Sequence, residues 1–330
     1  MDDAAASTPT GALVGPGPKP PWLKKRLPSA AVMAGMDRLL RSRRLHTVCE
    51  GAACPNRGEC FESGTATFLI LGDTCTRDCR FCAIKGGSPP PLDAEEPKHV
   101  AEAAAALGLS HVVITSVTRD DLADGGAAHF AATIREVRRA LPGATVEVLI
   151  HDFAGAAEAL NIVLDEAPEV LNHNVETIPR LYARVRPQAD FERSLEVLRR
   201  AAAVTTAAGP PSTGEEAGSR RAGLPASNHP PVVKSGFMVG LGETADEVEA
   251  LLDRLAETGV DVVTIGQYLR PSSRHLPVVE YVPPQVFAGY ASYGEGLGLV
   301  VVSGPFVRSS FEAEAAYRQA LRRKGWGACS

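Results

Sequence analysis

The sequence predicts an α/β fold, in which strands and helices alternate and the strands form a parallel sheet. Three observations predict this class. Short runs of β-branched and other apolar residues recur along the chain, longer Ala-rich segments separate them, and these segments carry apolar residues at every third or fourth position. Six such units fall short of the eight in a full barrel. The pattern therefore allows an open or partial barrel as well as a doubly wound sheet.

The strand candidates are apolar at nearly every position, as expected of strands that helices cover on at least one face. They span residues 67–72, 111–116, 145–150, 169–174, 232–238 and 261–266. The clearest helix candidates between them span residues 99–108, 129–141, 190–202 and 245–259. In both arrangements ligands bind at the carboxyl ends of the strands. We therefore expect the functional residues in the loops that follow the strands.

Four further segments complete the predicted organisation around this α/β body, which we place at residues 67–300. Residues 1–20 are expected to form a disordered leader, and residues 21–66 an N-terminal extension that contains cysteines. Residues 205–231 are rich in Gly, Pro, Ala and Ser and lack apolar periodicity, which predicts a flexible surface insertion. Residues 301–330 form a C-terminal segment.

The composition disfavours several classes of function. The formal net charge of −5 argues against general affinity for nucleic acid or anionic lipid. No uninterrupted apolar run is long enough to cross a bilayer, and the first twenty residues lack the apolar core and positive flank of a secretion signal. We therefore predict a cytoplasmic protein that has neither a nucleic-acid nor a membrane partner.

The cysteines indicate a metal or cluster protein. Six of the seven lie between Cys49 and Cys82, whereas a disulfide framework is typical of cysteines spread over a short secreted chain. They form two triplets, Cys49, Cys54 and Cys60 with the spacing C-x4-C-x5-C, and Cys75, Cys79 and Cys82 with the spacing C-x3-C-x2-C. Zinc and cubane iron–sulfur sites usually take four protein ligands. Each triplet therefore leaves one ligand position to be filled.

Two alternative interpretations do not explain the missing fourth ligand of each triplet. A zinc site would take histidine as its fourth ligand, but the eight histidines are scattered singly and only His46 lies near a triplet. A ferredoxin-like electron carrier would complete each cubane with a fourth thiolate. A cubane that keeps one iron open to an outside ligand is the better interpretation.

The C-x3-C-x2-C triplet directly after the first predicted strand resembles the radical S-adenosylmethionine enzymes. The resemblance implies that Cys75, Cys79 and Cys82 hold a [4Fe–4S] cluster, whose open iron binds the cosubstrate S-adenosylmethionine and generates a 5′-deoxyadenosyl radical from it. Phe81 matches the aromatic residue that lies near the adenine in that family. Asn174 and Glu176, after the fourth predicted strand, are candidates for binding the ribose or amino group of S-adenosylmethionine. Helix capping or loop hydrogen bonding is the alternative role for both.

Longer segments narrow the resemblance. They read "VCEGAACPNRGECFESGTATFLILGDTCTRDCRFCAI", "TSVTRDDLADGGA", "NHNVETIPRLYARVRPQADF", "KSGFMVGLGET", "TIGQYLRPSSRHLPV" and "GPFVRSSFEAEAA". From about residue 21 to residue 327, apart from the insertion, the chain closely resembles the lipoyl synthase family. The fold that this implies is a partial (β/α)6 radical-SAM barrel, with N-terminal and C-terminal extensions that carry an auxiliary cluster.

In that family the first triplet holds an auxiliary [4Fe–4S] cluster, whose fourth ligand is the second serine of an Arg-Ser-Ser-Tyr motif. Here the motif reads Arg308-Ser309-Ser310-Phe311. The resemblance therefore implies that Ser310 is both a metal ligand and a catalytic residue, beside Cys49, Cys54 and Cys60. The exchange of tyrosine for Phe311 keeps an aromatic ring but removes the phenol, which argues against an essential hydroxyl at this position.

The resemblance also implies the reaction and the partners. Octanoate, amide-linked to a lysine of a carrier domain, loses hydrogen at C6 and C8 to two successive radicals, and the auxiliary cluster provides two sulfur atoms. The implied partners are octanoylated lipoyl-carrier domains of 2-oxoacid dehydrogenase E2 or the glycine cleavage H protein, and an electron donor such as ferredoxin or flavodoxin. The nearest rival is a methylthiotransferase for RNA or ribosomal protein. Such an enzyme spreads its auxiliary cysteines through a separate domain, whereas this triplet spans twelve residues.

Overall fold

The structure is a computed structural model, which describes residues 17–25, 29–62, 66–207 and 229–326. Residues 1–16 and 208–228 lie outside these ranges, as does Cys329. The disordered leader and the flexible insertion therefore stay predictions.

Within the described ranges the chain forms eleven α-helices. They are α1 (Ala30–Ser42), α2 (Val48–Gly51), α3 (Arg57–Glu62), α4 (Glu96–Ala106), α5 (Ala127–Ala140), α6 (Ala157–Leu164), α7 (Tyr182–Val185), α8 (Phe191–Ala207), α9 (Ala245–Glu257), α10 (Pro284–Gly296) and α11 (Ala313–Arg323). All four of the helices that the sequence predicts most clearly are present, as α4, α5, α8 and α9. None of the helices in these ranges has both the length and the apolar content that a bilayer crossing requires.

Ten strands form in the same ranges. They are β1 (His46–Thr47), β2 (Thr67–Ile70), β3 (Thr74–Cys75), β4 (Lys85–Gly86), β5 (His111–Ser116), β6 (Thr145–Leu149), β7 (Val170–Asn172), β8 (Val232–Val239), β9 (Val262–Gln267) and β10 (Val300–Gly304). Seven of them pair in parallel in the order β2, β5, β6, β7, β8, β9 and β10. β1 adds to β2 in antiparallel orientation, and β3 pairs with β4 in a separate parallel ladder.

The sheet is a partial barrel. In the described part of the chain no strand pair joins β10 back to β1 or β2, so the barrel stays open. The six predicted strands are all present. β10 is a seventh parallel strand, which lies in the predicted C-terminal segment. The helix before it, α10, contains three glycines, so the last unit leaves only a weak pattern in the sequence.

Local sequence explains how the helices begin and which face they bury. Thr244 caps α9, because its hydroxyl accepts from the backbone N–H of Glu247, whose carboxylate accepts from the N–H of Thr244. Helices α4 and α10 have proline in the first turn, where a missing N–H leaves no helix bond unmade. The buried residues of α9 recur at helical spacing and are Val248, Leu251, Leu252 and Leu255.

Helix α11 closes the amino end of the sheet. Its apolar residues pack against the first residues of four neighbouring strands. The helix contributes Ala316, Tyr317 and Ala320, and the strands contribute Val170, Val232, Val262 and Val300. Helix α11 covers only the amino end of the sheet. The carboxyl ends of the strands, where ligands bind in a sheet of this class, are not covered by this helix.

One group of charged side chains is buried within the strands. Lys234 of β8 donates to Glu147 of β6 at 2.9 Å, and Nε2 of His111 of β5 lies 3.1 Å from the same carboxylate. Burial opposes ionisation of Glu147, but Lys234 and His111 together hold the pKa of its carboxyl at about 2. A buried charge is stable only when paired in this way. The strands are therefore less uniformly apolar than predicted.

Candidate cluster sites

The C-x3-C-x2-C triplet lies on a loop that follows β2. The short strands β3 and β4 pair in parallel across this loop, with Cys75 opposite Gly86. Only residues 76–84 connect the two strands, whereas a parallel connection usually takes a dozen or more residues. The loop is thus a short ring of chain that carries Cys79 and Cys82.

Arg77, inside this ring, fixes it to the ends of two further strands. Its Nε and Nη2 donate to the two carboxylate oxygens of Asp120, after β5, at 2.7 and 2.8 Å. Nη2 also lies 2.7 Å from Oδ1 of Asp152, after β6, whose side chain is fully buried. Burial opposes ionisation of Asp152, but Arg77 holds the pKa of this carboxyl below its ordinary value. A guanidinium shared by two carboxylates anchors the ring in one orientation.

Backbone bonds from later parts of the chain hold the same ring. The N–H of Arg80 donates to the carbonyl oxygen of Val185 at 3.0 Å, and its carbonyl accepts from the N–H of Leu276 at 3.1 Å. Nε2 of His275 lies 2.9 Å from the carbonyl oxygen of Cys82. Bonds within the chain therefore fix the cysteine ring on several sides without the help of a cofactor.

The thiols of this triplet are crowded and largely buried. Burial raises the pKa of Cys79 and raises that of Cys82 to about 12, and neighbouring thiols and Glu176 add to both shifts. Arg186 acts in the opposite direction on the pKa of Cys79. None of the six triplet cysteines, all in the described ranges, is in a disulfide. Thiols of this kind ionise when a cationic group binds them, because metal ligation requires the thiolate.

The C-x4-C-x5-C triplet lies on two short helices beside the edge of the sheet. Cys49 is in α2, Cys60 is in α3, and Cys54 lies between them. The hydroxyl of Thr47 caps α2, since it accepts from the N–H of Glu50 at 3.3 Å. Arg57 of α3 ties the segment to α1 through an ion pair with Asp37 at 2.5 Å, and another part of the chain completes the site.

That other part is the C-terminal segment, which completes an open pocket. The pocket is lined by the three cysteines and by Arg308 and Ser310. The remaining lining residues are Val48, Asn56, Thr67 and Phe311. The structure thus places Ser310 in one pocket with the triplet for which the sequence predicts it as a ligand.

Two contacts seat the C-terminal segment on the pocket. The side chain of Asn56 is buried, and its Nδ2 donates to the carbonyl oxygen of Phe306 at 2.7 Å. Gly266 of β9 allows the close approach of Val307, because a Cβ at residue 266 would lie 2.2 Å from the carbonyl oxygen of Val307. A side chain at residue 266 would therefore displace the segment that carries Ser310.

The pocket combines three crowded thiols with one cationic side chain, Arg308. Burial and the two neighbouring thiols raise the pKa of Cys60 to about 12, and burial raises that of Cys49. Burial also lowers the pKa of the Arg308 guanidinium, whereas the neighbouring Cys54 acts on this pKa in the opposite direction. In the described ranges no three Cys, His, Asp or Glu side chains are arranged to hold a single metal ion. In a cubane each thiolate binds its own iron, so no common centre is needed.

Asn174 and Glu176 lie after β7, where Asn174 contacts the C-terminal segment and Glu176 lies close enough to Cys79 to raise the pKa of its thiol. Glu176 has a positive φ of 67° and bridges to Phe237 of β8, a strained conformation for a residue other than glycine. Burial raises the pKa of its carboxyl, which accepts from Nδ2 of Asn174 at 3.1 Å. Nδ2 also donates to Oγ of Ser309 at 2.5 Å. Loop hydrogen bonding, the alternative role, is therefore present, and contacts with a cosubstrate stay a prediction.

Phe81, the third predicted cosubstrate contact, is partly buried and packs against the apolar core. The sequence patterns do not single out the positioning residues Arg77, Asp152 and Asn56. Arg77 lies within the cysteine motif and Asp152 follows a strand, so both positions carried a signal. Asn56 carried none, because its partner is a backbone carbonyl at the other end of the chain.

Comparison with known proteins adds a family to these sites. Residues 69–207 match the Radical SAM superfamily. A lipoyl synthase of Nitratidesulfovibrio vulgaris (strain DP4) is 54% identical over 308 residues, which are 92% of this chain and 95% of the relative. A lipoyl synthase of Caldanaerobacter subterraneus subsp. tengcongensis is 51% identical over 297 residues, which are 90% of this chain and 96% of the relative.

Among solved structures, a crystal structure of HydG, a maturase of the [FeFe]-hydrogenase, is similar with a TM-score of 0.52 and 16% identity, covering 76% of this chain and 53% of that one. A likeness at this identity supports the fold alone. The two relatives, in contrast, are identical to this chain at more than half of the aligned positions, along nearly its whole length. On this identity and coverage, the chain belongs to the lipoyl synthase family.

Proposed function

We propose that the protein catalyses the lipoyl synthase reaction, in which two sulfur atoms enter at C6 and C8 of an octanoyl group linked to a lysine of a carrier domain. The observation that carries the proposal is the pocket in which Cys49, Cys54 and Cys60 meet Ser310 from the other end of the chain. Generation of the radical requires only the C-x3-C-x2-C site, so the second pocket has a separate task. The second pocket supports a sulfur-inserting reaction.

The first cofactor site is the ring of Cys75, Cys79 and Cys82. The superfamily implies one [4Fe–4S] cluster together with S-adenosylmethionine. The ring fits such a cluster, because it brings three thiols together without a disulfide and Arg77 anchors it to the sheet. These cysteines would bind three of the irons and leave the fourth for the cosubstrate.

For the cosubstrate we assign Asn174, Glu176 and Phe81. Oδ1 of Asn174 is buried without a hydrogen-bond partner, and the pKa of Glu176 is raised by burial. Buried polar groups of this kind require a partner. The ammonium group and ribose hydroxyls of S-adenosylmethionine are suitable donors, and the ring of Phe81 offers an apolar face to the adenine.

The second cofactor site, with Cys49, Cys54, Cys60 and Ser310, would hold the auxiliary [4Fe–4S] cluster. The guanidinium of Arg308 beside the thiols fits the negative charge of a thiolate-bound cluster. A serine oxygen is a harder ligand than a thiolate and suits iron less well. Ser310 would therefore hold its iron less firmly than the three cysteines hold theirs, which suits a site that has to donate sulfur.

When bound, these cofactors supply the radical that removes hydrogen from unactivated carbons and the sulfide that replaces it. Unactivated C–H bonds are beyond any side-chain acid or base, so the task of the chain is to position its partners and exclude water. Phe311 contributes an apolar ring to the lining of the auxiliary pocket. The proposed carriers are octanoylated domains of 2-oxoacid dehydrogenase E2 or the glycine cleavage H protein, with ferredoxin or flavodoxin as electron donor.

A single experiment tests this function. The protein is reconstituted anaerobically with iron and sulfide, and given S-adenosylmethionine, dithionite and an octanoyl-lysyl peptide. Mass spectrometry of the peptide should show the gain of two sulfur atoms as a dithiol, and later oxidation of the dithiol to the cyclic disulfide should remove two hydrogens. Production of 5′-deoxyadenosine without any sulfur in the peptide would contradict the proposal.

A further inference from the structure

One side chain, Asn174, connects the two cysteine sites. Its Nδ2 donates to Oγ of Ser309 at 2.5 Å, in the residue next to the proposed ligand Ser310, and to Oε1 of Glu176 at 3.1 Å. Ser309 belongs to the C-terminal segment, and Asn174 to the loop after β7. The bond therefore ties the auxiliary site to the loop that we assign to the cosubstrate.

Asn174 is itself fixed from the side of the radical site. Nη1 of Arg186 donates to the carbonyl oxygen of Asn174 and to the hydroxyl of Tyr182, both at 2.9 Å. The same guanidinium lies close enough to Cys79 to affect its thiol. A series of polar contacts thus leads from Cys79 through Arg186 and Asn174 to Ser309.

Glycines in two strands allow these segments to approach the sheet. A Cβ at Gly236 of β8 would lie 3.0 Å from Oδ1 of Asn174 and 2.3 Å from Oγ1 of Thr264. At Gly266 of β9, the carbonyl oxygen of Val307 occupies the equivalent space. Close backbone packing therefore sets the distance between Asn174 and Ser309.

Resting on the proposed function, we infer that Ser309 is a positioning residue for Ser310, and that the Asn174–Ser309 hydrogen bond couples the cosubstrate loop to the auxiliary site. Both hydrogens of Nδ2 are used, by Ser309 and Glu176, whereas Oδ1 is buried without a partner. A donor group of S-adenosylmethionine at this oxygen would polarise the amide and strengthen its bond to Ser309. Ser310 is then held more firmly in its pocket while the cosubstrate is bound.

The test uses the reconstituted protein with both clusters, without reductant. Loss of the serine-ligated iron to a chelator is followed by Mössbauer spectroscopy, with and without S-adenosylmethionine. The cosubstrate should slow this loss in the unsubstituted protein by about two- to tenfold, the range expected of one hydrogen bond. Ser309→Ala should lose the iron faster and show no slowing by the cosubstrate. Ser309→Thr, which keeps the hydroxyl, should restore the slowing.

Ser303→Ala is the matched control, because Ser303 of β10 has a buried hydroxyl without a hydrogen-bond partner. It should behave like the unsubstituted protein. Slowing by the cosubstrate in Ser309→Ala, or its absence in the unsubstituted protein, would overturn the inference while leaving the proposed function intact. A chain that assembles one cluster rather than two would overturn the proposed function itself.

Discussion

The two cysteine sites differ in how the chain holds them. The ring of Cys75, Cys79 and Cys82 is closed by the β3–β4 ladder, anchored by Arg77 to two carboxylates and bonded to distant backbone groups. The triplet on α2 and α3 instead forms a pocket only where the C-terminal segment covers it. The barrel builds the first site, and two extensions of the barrel share the second.

This difference corresponds to different chemical demands under the proposed function. The radical site has to pass through each turnover unchanged, which a charge-paired ring on a sheet edge favours. The auxiliary site has to give up sulfur, which a hard oxygen ligand on a separate segment favours. The comparison therefore predicts that substitutions at one site leave the other cluster in place.

The largest effects are expected from the cysteines themselves. Replacing Cys75, Cys79 or Cys82 with Ala should abolish reductive cleavage of S-adenosylmethionine, because the radical cluster loses a ligand. The corresponding changes in the other triplet, Cys49, Cys54 and Cys60, should retain cleavage and abolish sulfur insertion. Chromatography of 5′-deoxyadenosine and mass spectrometry of the peptide separate the two outcomes. Equal loss of cleavage from both triplets, with the fold intact, would remove the distinction between the sites.

The next effect concerns Ser310 alone. Ser310→Ala should still produce 5′-deoxyadenosine but little or no lipoyl product, because the change removes only the proposed auxiliary ligand. Ser310→Cys should restore a fourth ligand that holds iron more tightly, and product should form slowly. Protein reconstituted with heavy sulfide should transfer heavy sulfur to the peptide. Full product formation by Ser310→Ala would contradict the assignment of Ser310 as a ligand of the auxiliary cluster.

A smaller effect is expected at the anchor of the radical ring. Arg77→Ala leaves the buried Asp152 with Arg193, at 3.3 Å, as its remaining cation, so the loss should be smaller than the about 3–5 kcal/mol of a fully unpaired buried charge. The variant should lose the radical cluster and keep the auxiliary one, so iron per chain should fall by about half. Arg199→Ala is the control, since Arg199 pairs with Glu196 on an exposed helix face, where ion pairs contribute little. Loss of both clusters in Arg77→Ala would show that the ring and the pocket are not independent.

The smallest effect is expected at Asn56. Asn56→Ala leaves the carbonyl of Phe306 without its donor, a loss of about 1–3 kcal/mol for a buried group. The C-terminal segment should then seat less well, so sulfur insertion falls while formation of 5′-deoxyadenosine is unchanged. The ratio of the two products measures this. A proportional fall in sulfur insertion and in 5′-deoxyadenosine would show that Asn56 stabilises the whole chain rather than the pocket alone.

The sequence predicts the repeating strand–helix units of the fold and the features that form within a single segment. Apolar runs and helical spacing predict β5, β6 and α9 because each pattern lies within one segment. The pairing of Lys234 with Glu147 could not be predicted, since a strand pattern does not say which buried charges meet across a sheet. Ser310 is identified by a family motif. The bond of Asn56 to Phe306, which holds the segment that contains Ser310, could not be predicted because it joins distant segments.

The shared pocket also sets an order in the making of the protein. The bond between Asn56 and Phe306 joins groups 250 positions apart, and contacts of such long range form late in folding. Translation releases the first triplet long before Ser310, because domains emerge and fold from the N-terminal end. During that interval Cys49, Cys54 and Cys60 are present on the nascent chain without the covering segment. Under the proposed role of Ser310, a complete auxiliary cluster can therefore be installed only after the ribosome has finished β10 and the segment that follows it.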